Sequence, residues 1–277
     1  MNPHLIRADP NQTVRMAVTP DSAGWRYLSF AVVDLGSGEH HRHRLDDQET
    51  ALVPLRGSAT VRVGDLEQTV SRSDVFEEMP TVVYAPPGAT IEVTAGDRFE
   101  FAIGSAPAEG RYPARFIEPA SMKSELRGGG AARRQVNHIL APPIDAERLI
   151  LYEVYVPRGS WSGWPPHCHD GFDGSPYLEE TYYFRLDPAE GFAMHRNWRV
   201  DEDFDEVLTA GDGDCALVTK GFHSTAAAPG SHMFFLNFLA GELVDGERVT
   251  PPCFHQDYTW IEDDWDAFAW ELPKVRP

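Results

Sequence analysis

The chain has 277 residues, 42% of them hydrophobic, which is enough apolar material for a real core and excludes a disordered chain or a disulfide-stapled peptide. Its 43 acidic against 24 Lys and Arg side chains leave a formal charge of −19, which repels phosphate backbones and anionic lipid and argues against nucleic-acid or membrane-surface partners. Three cysteines without CxxC spacing, and no apolar leader in the first 25 residues, fit a reducing compartment and predict a cytoplasmic protein.

From the N-terminus, residues 27–35, 51–55, 59–63, 82–86, 90–94 and 99–103 are short apolar runs that read as strands. Turn signals at Gly57-Ser58, Gly64-Asp65 and Pro86-Pro87-Gly88 separate them. In the stretch GEHHRHRLDDQET, His40, His41, His43 and Glu49 imitate a His-x-His and Glu metal set, but no Gly-x-His follows and a solvated loop is expected. Residues 106–145, with a Gly triplet and no sustained period, read as a connection between a domain at 1–105 and another at 146–277. A second strand series follows at 149–156, 180–186, 192–196, 215–219 and 233–240, with a turn or two of helix at 202–209. Short strands at this spacing, with little helical periodicity, predict an all-β chain of two β-sandwich or jelly-roll barrels.

The densest chemistry lies in residues 161–170, WSGWPPHCHD. On a strand His167 and His169 share a face, because side chains alternate with period two. Glu179 and Glu180 open the next strand, and His223 sits in a turn after the strand at 215–219. Two imidazoles joined by a carboxylate and a third imidazole make a small-barrel site for one divalent metal ion. Such ligands suit Zn, Fe, Mn, Ni or Cu about equally. Strand parity groups Glu179, Thr181, Tyr183 and Arg185 on one polar face. It sends Glu180, Tyr182 and Phe184 to the other face, toward packing between sheets, and so favours Glu179 as the ligand. His138, His195, His232 and His255 are scattered and read as structural. Trp161, Trp164, Tyr182 and Tyr183 either stack on a sugar ring or fill the core. No nucleotide-binding glycine motif and no Gly-x-Ser-x-Gly is present.

The order Pro-Pro-His-x-His, Glu, Gly-x-His resembles the metal signature of the cupin superfamily. The stretches WSGWPPHCHD, LEETYYFRLDPAEGFAM, GFHSTAAAPG, FFLNFLAG and HQDYTWI are similar to the 5-deoxy-glucuronate isomerases of myo-inositol catabolism. More distantly the chain resembles the 4-deoxy-5-ketouronate isomerases. The resemblance implies a bicupin whose first domain is degenerate, acting as an aldose–ketose isomerase that converts 5-deoxy-D-glucuronate to 5-dehydro-2-deoxy-D-gluconate. It implies His167, His169 and His223 as metal ligands. In the ketouronate isomerases the ligand glutamate stands five residues before the Phe of the aromatic run, which here again selects Glu179.

Glu180 and Tyr183 are the expected acid–base groups. Arg185, then Arg196, with Lys220 as a further contact, are expected to meet the carboxylate of the small-molecule uronate. Cupins commonly pair through strand edges, so the resemblance also implies a homodimer. Cys168, Phe222 and Ser224 stand where the family usually has Lys, Tyr and Pro, beside the ligands rather than on them. The same three histidines and a glutamate also serve cupin dioxygenases through Fe(II), and non-catalytic sugar-binding cupins keep metal without turnover.

Overall fold

In a computed structural model, which describes residues 2–249, 253–272 and 274–275, the chain is built from three antiparallel sheets. The apolar runs at 51–55 and 59–63 belong to one long strand, Gln48–Val63, and those at 90–94 and 99–103 to another, Thr90–Pro107. The two pair along nearly their whole length, with register shifts between Pro54 and Arg56 and between Gly57 and Ala59 that bend the ladder. At Gly57 φ is +92° and a Cβ would collide with the Arg98 carbonyl, so the bend demands glycine. Val14–Val18, Ser29–Leu35, Val82–Ala85 and Arg115–Ile117 complete this first sheet, with Leu66–Arg72 and His40–Arg44 at its sides.

The second sheet has seven strands in the order Leu5–Ile6, Cys215–Val218, Leu178–Asp187, His232–Gly241, Ile150–Val156, Arg134–Leu140 and Lys123–Arg127. The third has five, in the order Asp205–Ala210, Ala193–Trp198, Phe222–Ala227, Trp161–Cys168 and Cys253–Phe254.

Four local expectations change. The histidine-rich stretch is a strand, His40–Arg44, paired with residues 90–94, and not a solvated loop. Its alternation turns His41 inward, 5.5 Å from the Phe101 ring. Residues 202–209 form no helix. Asp205–Ala210 is a strand paired with Ala193–Trp198, because alternation buries Leu208 and Ala210. The stretch 106–145 carries Arg115–Ile117, Lys123–Arg127 and Arg134–Leu140, the last two forming one edge of the seven-stranded sheet. His223 lies in a strand, Phe222–Ala227, rather than in a turn.

The seven-stranded sheet is the middle layer. One face packs Tyr183, Phe234, Leu236 and Phe238 against Phe30, Val32 and Val53 of the first sheet. The other packs Tyr182, Phe184 and Phe235 against Ala193, Leu208 and Ala227 of the five-stranded sheet. Leu178–Asp187 is therefore buried on both faces.

Charged groups tie the layers together. Glu49 accepts hydrogen bonds from the backbone amides of Glu147, Arg148 and Leu149 at 2.8, 2.6 and 2.6 Å, and from the Tyr84 hydroxyl at 2.6 Å. Arg72 meets Glu153 with two hydrogen bonds of 2.6 and 3.1 Å, both side chains fully buried. Among the described residues no helix is long and apolar enough to cross a membrane.

Candidate metal centre

His167 and His223 are directly paired across neighbouring strands, which brings their ring centroids to 4.4 Å. The ladder slips between Ser162 and His167, and a slip of this kind re-aims the side chains beyond it. Gly163, at φ +63°, lies where a Cβ would press on Ser224 Cα at 3.2 Å and the His223 carbonyl at 3.3 Å, so glycine lets the two strands close beside the histidines. His169 stands two residues past His167, 6.0 Å from it and 5.0 Å from His223, ring to ring. One ring nitrogen from each of the three lies within 4.8 Å of the others, a cluster able to hold a metal ion.

The carboxylate that joins them is Glu180. Its Oε2 is 2.9 Å from His169 Nε2 and 3.3 Å from His223 Nε2. Burial alone would raise the Glu180 carboxyl, but the hydrogen bond from His169 and the His223 imidazole close beside it hold it well below the usual carboxylate range. Burial alone would likewise lower His169, and Glu180 carries it above its ordinary value. Burial, then the neighbouring imidazoles of His223 and His169, keeps His167 neutral. His169 Nδ1 lies 3.1 Å from the Leu178 carbonyl, which can only accept, so Nδ1 carries the hydrogen and Nε2 is turned to the cluster.

The donor set fits a divalent metal. Both ring nitrogens of His223 are buried without a hydrogen bond, a costly state that a ligated ion relieves at the nitrogen it binds. His195 stacks behind His223 at 6.2 Å and its Nε2 faces Asn197 Oδ1 at 3.0 Å.

Glu179, the expected ligand, points the other way. Its carboxylate accepts from the backbone amides of Arg26, Tyr27 and Leu28 at 2.6, 2.9 and 2.8 Å, and from the Tyr177 hydroxyl at 3.2 Å. The parity argument separated the two glutamates correctly and assigned the faces wrongly, since both faces of this strand are buried and polarity does not tell one from the other. Tyr183 and Arg185 follow Glu179. The Tyr183 hydroxyl is 3.5 Å from Glu100, and Arg185 pairs with Glu100 and Asp212 at 3.0 Å each, away from the histidines.

Arg196 forks onto Asp205 at the surface and lies 4.3 Å over the Trp198 ring, and Lys220 pairs with Glu202. None of the three expected cations reaches the cluster. Accordingly, Arg196→Gln is expected to leave kcat/KM within about twofold of wild type in steady-state assays, since exposed pairs contribute little.

The cavity beside the cluster is lined instead by Arg127, Arg134, Tyr152, Ser162, Tyr182 and Asn237, with apolar walls from Val136, Val154, Phe235 and Leu239. Tyr182 was readable as the inward-facing partner of Glu180, whereas Arg127 and Arg134 fall in the stretch taken as a connection.

A family model described as KduI/IolB matches residues 3–261. The chain is 40% identical over 250 residues to a 5-deoxy-glucuronate isomerase of Geobacillus kaustophilus, covering 88% of this chain and 89% of that one. It is 35% identical over 232 residues to a 5-deoxy-glucuronate isomerase of Bacillus subtilis, covering 81% and 85%. Among solved structures, an IolB-like protein from Salmonella typhimurium LT2 aligns with a TM-score of 0.88 at 34% identity, over 93% of this chain and 98% of that one. Bacillus subtilis oxalate decarboxylase, a protein with Mn(II) centres, aligns with a TM-score of 0.59 at 14% identity over 85% and 74%, a likeness of fold alone.

Proposed function

The chain belongs to the KduI/IolB family, and from that premise we propose that its histidine cavity isomerises 5-deoxy-D-glucuronate to 5-dehydro-2-deoxy-D-gluconate with one divalent metal ion. The architecture is a bicupin and the protein is an isomerase, in keeping with relatives that bear the 5-deoxy-glucuronate isomerase name over most of its length. The ligands are His167, His169, His223 and Glu180. The observation that carries this reading is their convergence in one cluster beside the cavity, with both nitrogens of His223 otherwise unsatisfied.

The reaction moves hydrogen between C2 and C1 and the carbonyl from C1 to C2. When bound, the metal supplies Lewis acidity to the carbonyl and its neighbouring hydroxyl. Tyr182 lines the same cavity, and burial, then the charge of Glu180, pushes its phenol well above its ordinary range. It therefore stays protonated and donates to a substrate oxygen, the role first expected of Tyr183. The apolar walls keep water from the reacting carbons.

The test is turnover of 5-deoxy-D-glucuronate by purified protein, before and after metal is stripped and restored, with His223→Ala alongside. Restored metal returns activity to the wild type. The variant, lacking a ligand, falls by more than the roughly 10–100-fold that outer-shell substitutions cost. No turnover from protein holding stoichiometric metal would refute the isomerase reading. Full turnover from stripped protein would remove the metal from it.

A further inference from the structure

Arg127 and Arg134 stand directly opposite one another in the ladder between Lys123–Arg127 and Arg134–Leu140. Like charges placed so are destabilising on a sheet. Arg127 is balanced by Glu125 at 2.6 Å. Arg134 is not: its guanidinium donates to the Ala132 carbonyl at 3.0 Å and meets no carboxylate within ion-pairing distance among the described residues.

The other deeply placed arginines are satisfied, Arg72 by Glu153, Arg185 by Glu100 and Asp212, and Arg248 by four backbone carbonyls. Arg134 thus keeps several of its five N–H donors for something the chain does not provide. Burial, then Arg127, draws it down to about 10, which still leaves it charged at neutral pH. Its position is built. At Gly128, φ +68°, a Cβ would come within 2.9 Å of Arg134 Nη1 and 2.5 Å of the Ala132 carbonyl, so the glycine clears the space the guanidinium occupies.

This cation lines the cavity that holds His167, His169 and Glu180. We propose that Arg134 is the specificity residue that receives the substrate's carboxylate, in a two-bond fork, while the carbonyl end of the sugar lies toward the histidines. The assignment rests on the isomerase reading of the same cavity. It makes the enzyme selective for aldoses that end in a carboxylate, because a neutral terminus leaves the half-buried Arg134 without a counter-charge.

Steady-state kinetics of wild type, Arg134→Gln and Arg134→Lys, with metal content measured on each, test it. Glutarate serves as a carboxylate probe, as a competitive inhibitor and by calorimetry. In Arg134→Gln, KM rises about 100-fold, the loss of a charge-assisted fork, with kcat within about threefold and metal content unchanged. Arg134→Lys recovers part of the KM, and glutarate competes with substrate in wild type but not in Arg134→Gln. Unchanged KM in Arg134→Gln, or equal glutarate affinity in the two proteins, would overturn the assignment. So would loss of kcat together with metal, which marks a structural role. A wild type that does not isomerise the uronate counts against the proposed reaction, and the glutarate comparison still decides the role of Arg134.

Discussion

Replacing Glu180 by Gln is expected to weaken metal binding by more than about 100-fold and to lower kcat/KM in parallel. The substitution keeps the shape and removes the charge that meets His169 at 2.9 Å and His223 at 3.3 Å. The loss of a ligand exceeds the roughly 10–100-fold that substitutions in the outer shell cost. Competition with a chelator measures the affinity, and elemental analysis the stoichiometry. The decisive comparison is with Glu179→Gln. If that variant loses metal while Glu180→Gln keeps it, the ligand is Glu179 and the geometry described above is wrong.

Glu179→Ala is expected to act on stability instead. Three backbone amides, those of Arg26, Tyr27 and Leu28, lose their acceptor at once in a place where the Glu179 side chain is 1% exposed and Leu28 fully buried. Leaving buried donors unpaired costs about 1–3 kcal/mol each, and partial rewetting of the outer two brings the sum to about 3–5 kcal/mol. Chemical denaturation reads this as a lower midpoint with an unchanged slope. The folded fraction should keep one metal per chain and near-normal kcat. Undiminished stability combined with lost metal would place Glu179 at the metal after all. Should the alanine variant not accumulate, Glu179→Gln retains one acceptor oxygen and gives a smaller loss of the same kind.

Glu179 and Glu180 show how far spacing reaches. The three histidines were legible because their spacing is local: His167 and His169 two apart, and His223 in Gly-x-His. The all-β class was legible for the same reason, from short apolar runs cut by Gly and Pro. Period-two alternation also separated the two glutamates correctly. Assigning the faces needed the layer order. Leu178–Asp187 lies in the middle sheet, so Glu179, Tyr183 and Arg185 look toward the first barrel while Glu180 and Tyr182 look into the second. In a strand with one wet face, polarity marks the outside. Here both faces are buried, and the polar groups on each are satisfied by different partners.

Arg134 was hidden for another reason. Lys123–Arg127 and Arg134–Leu140 join through RGGGAAR, whose glycines break every local period, and they form an edge rather than a core of the sheet. Among the described residues Lys123–Arg127 pairs only with Arg134–Leu140, and Arg134–Leu140 is held to the sheet through Ile150–Val156, with Gln135 opposite Tyr155, a pairing that no local period announces. The sequence alone determined the chemistry available to this protein, three imidazoles, paired glutamates and a surplus of strand-forming runs, because residue type and short spacing are local properties. Only the tertiary structure decided which glutamate joins the histidines and which arginines line the cavity beside them, because facing depends on sheet order and register, and these are set by contacts between segments far apart in the chain.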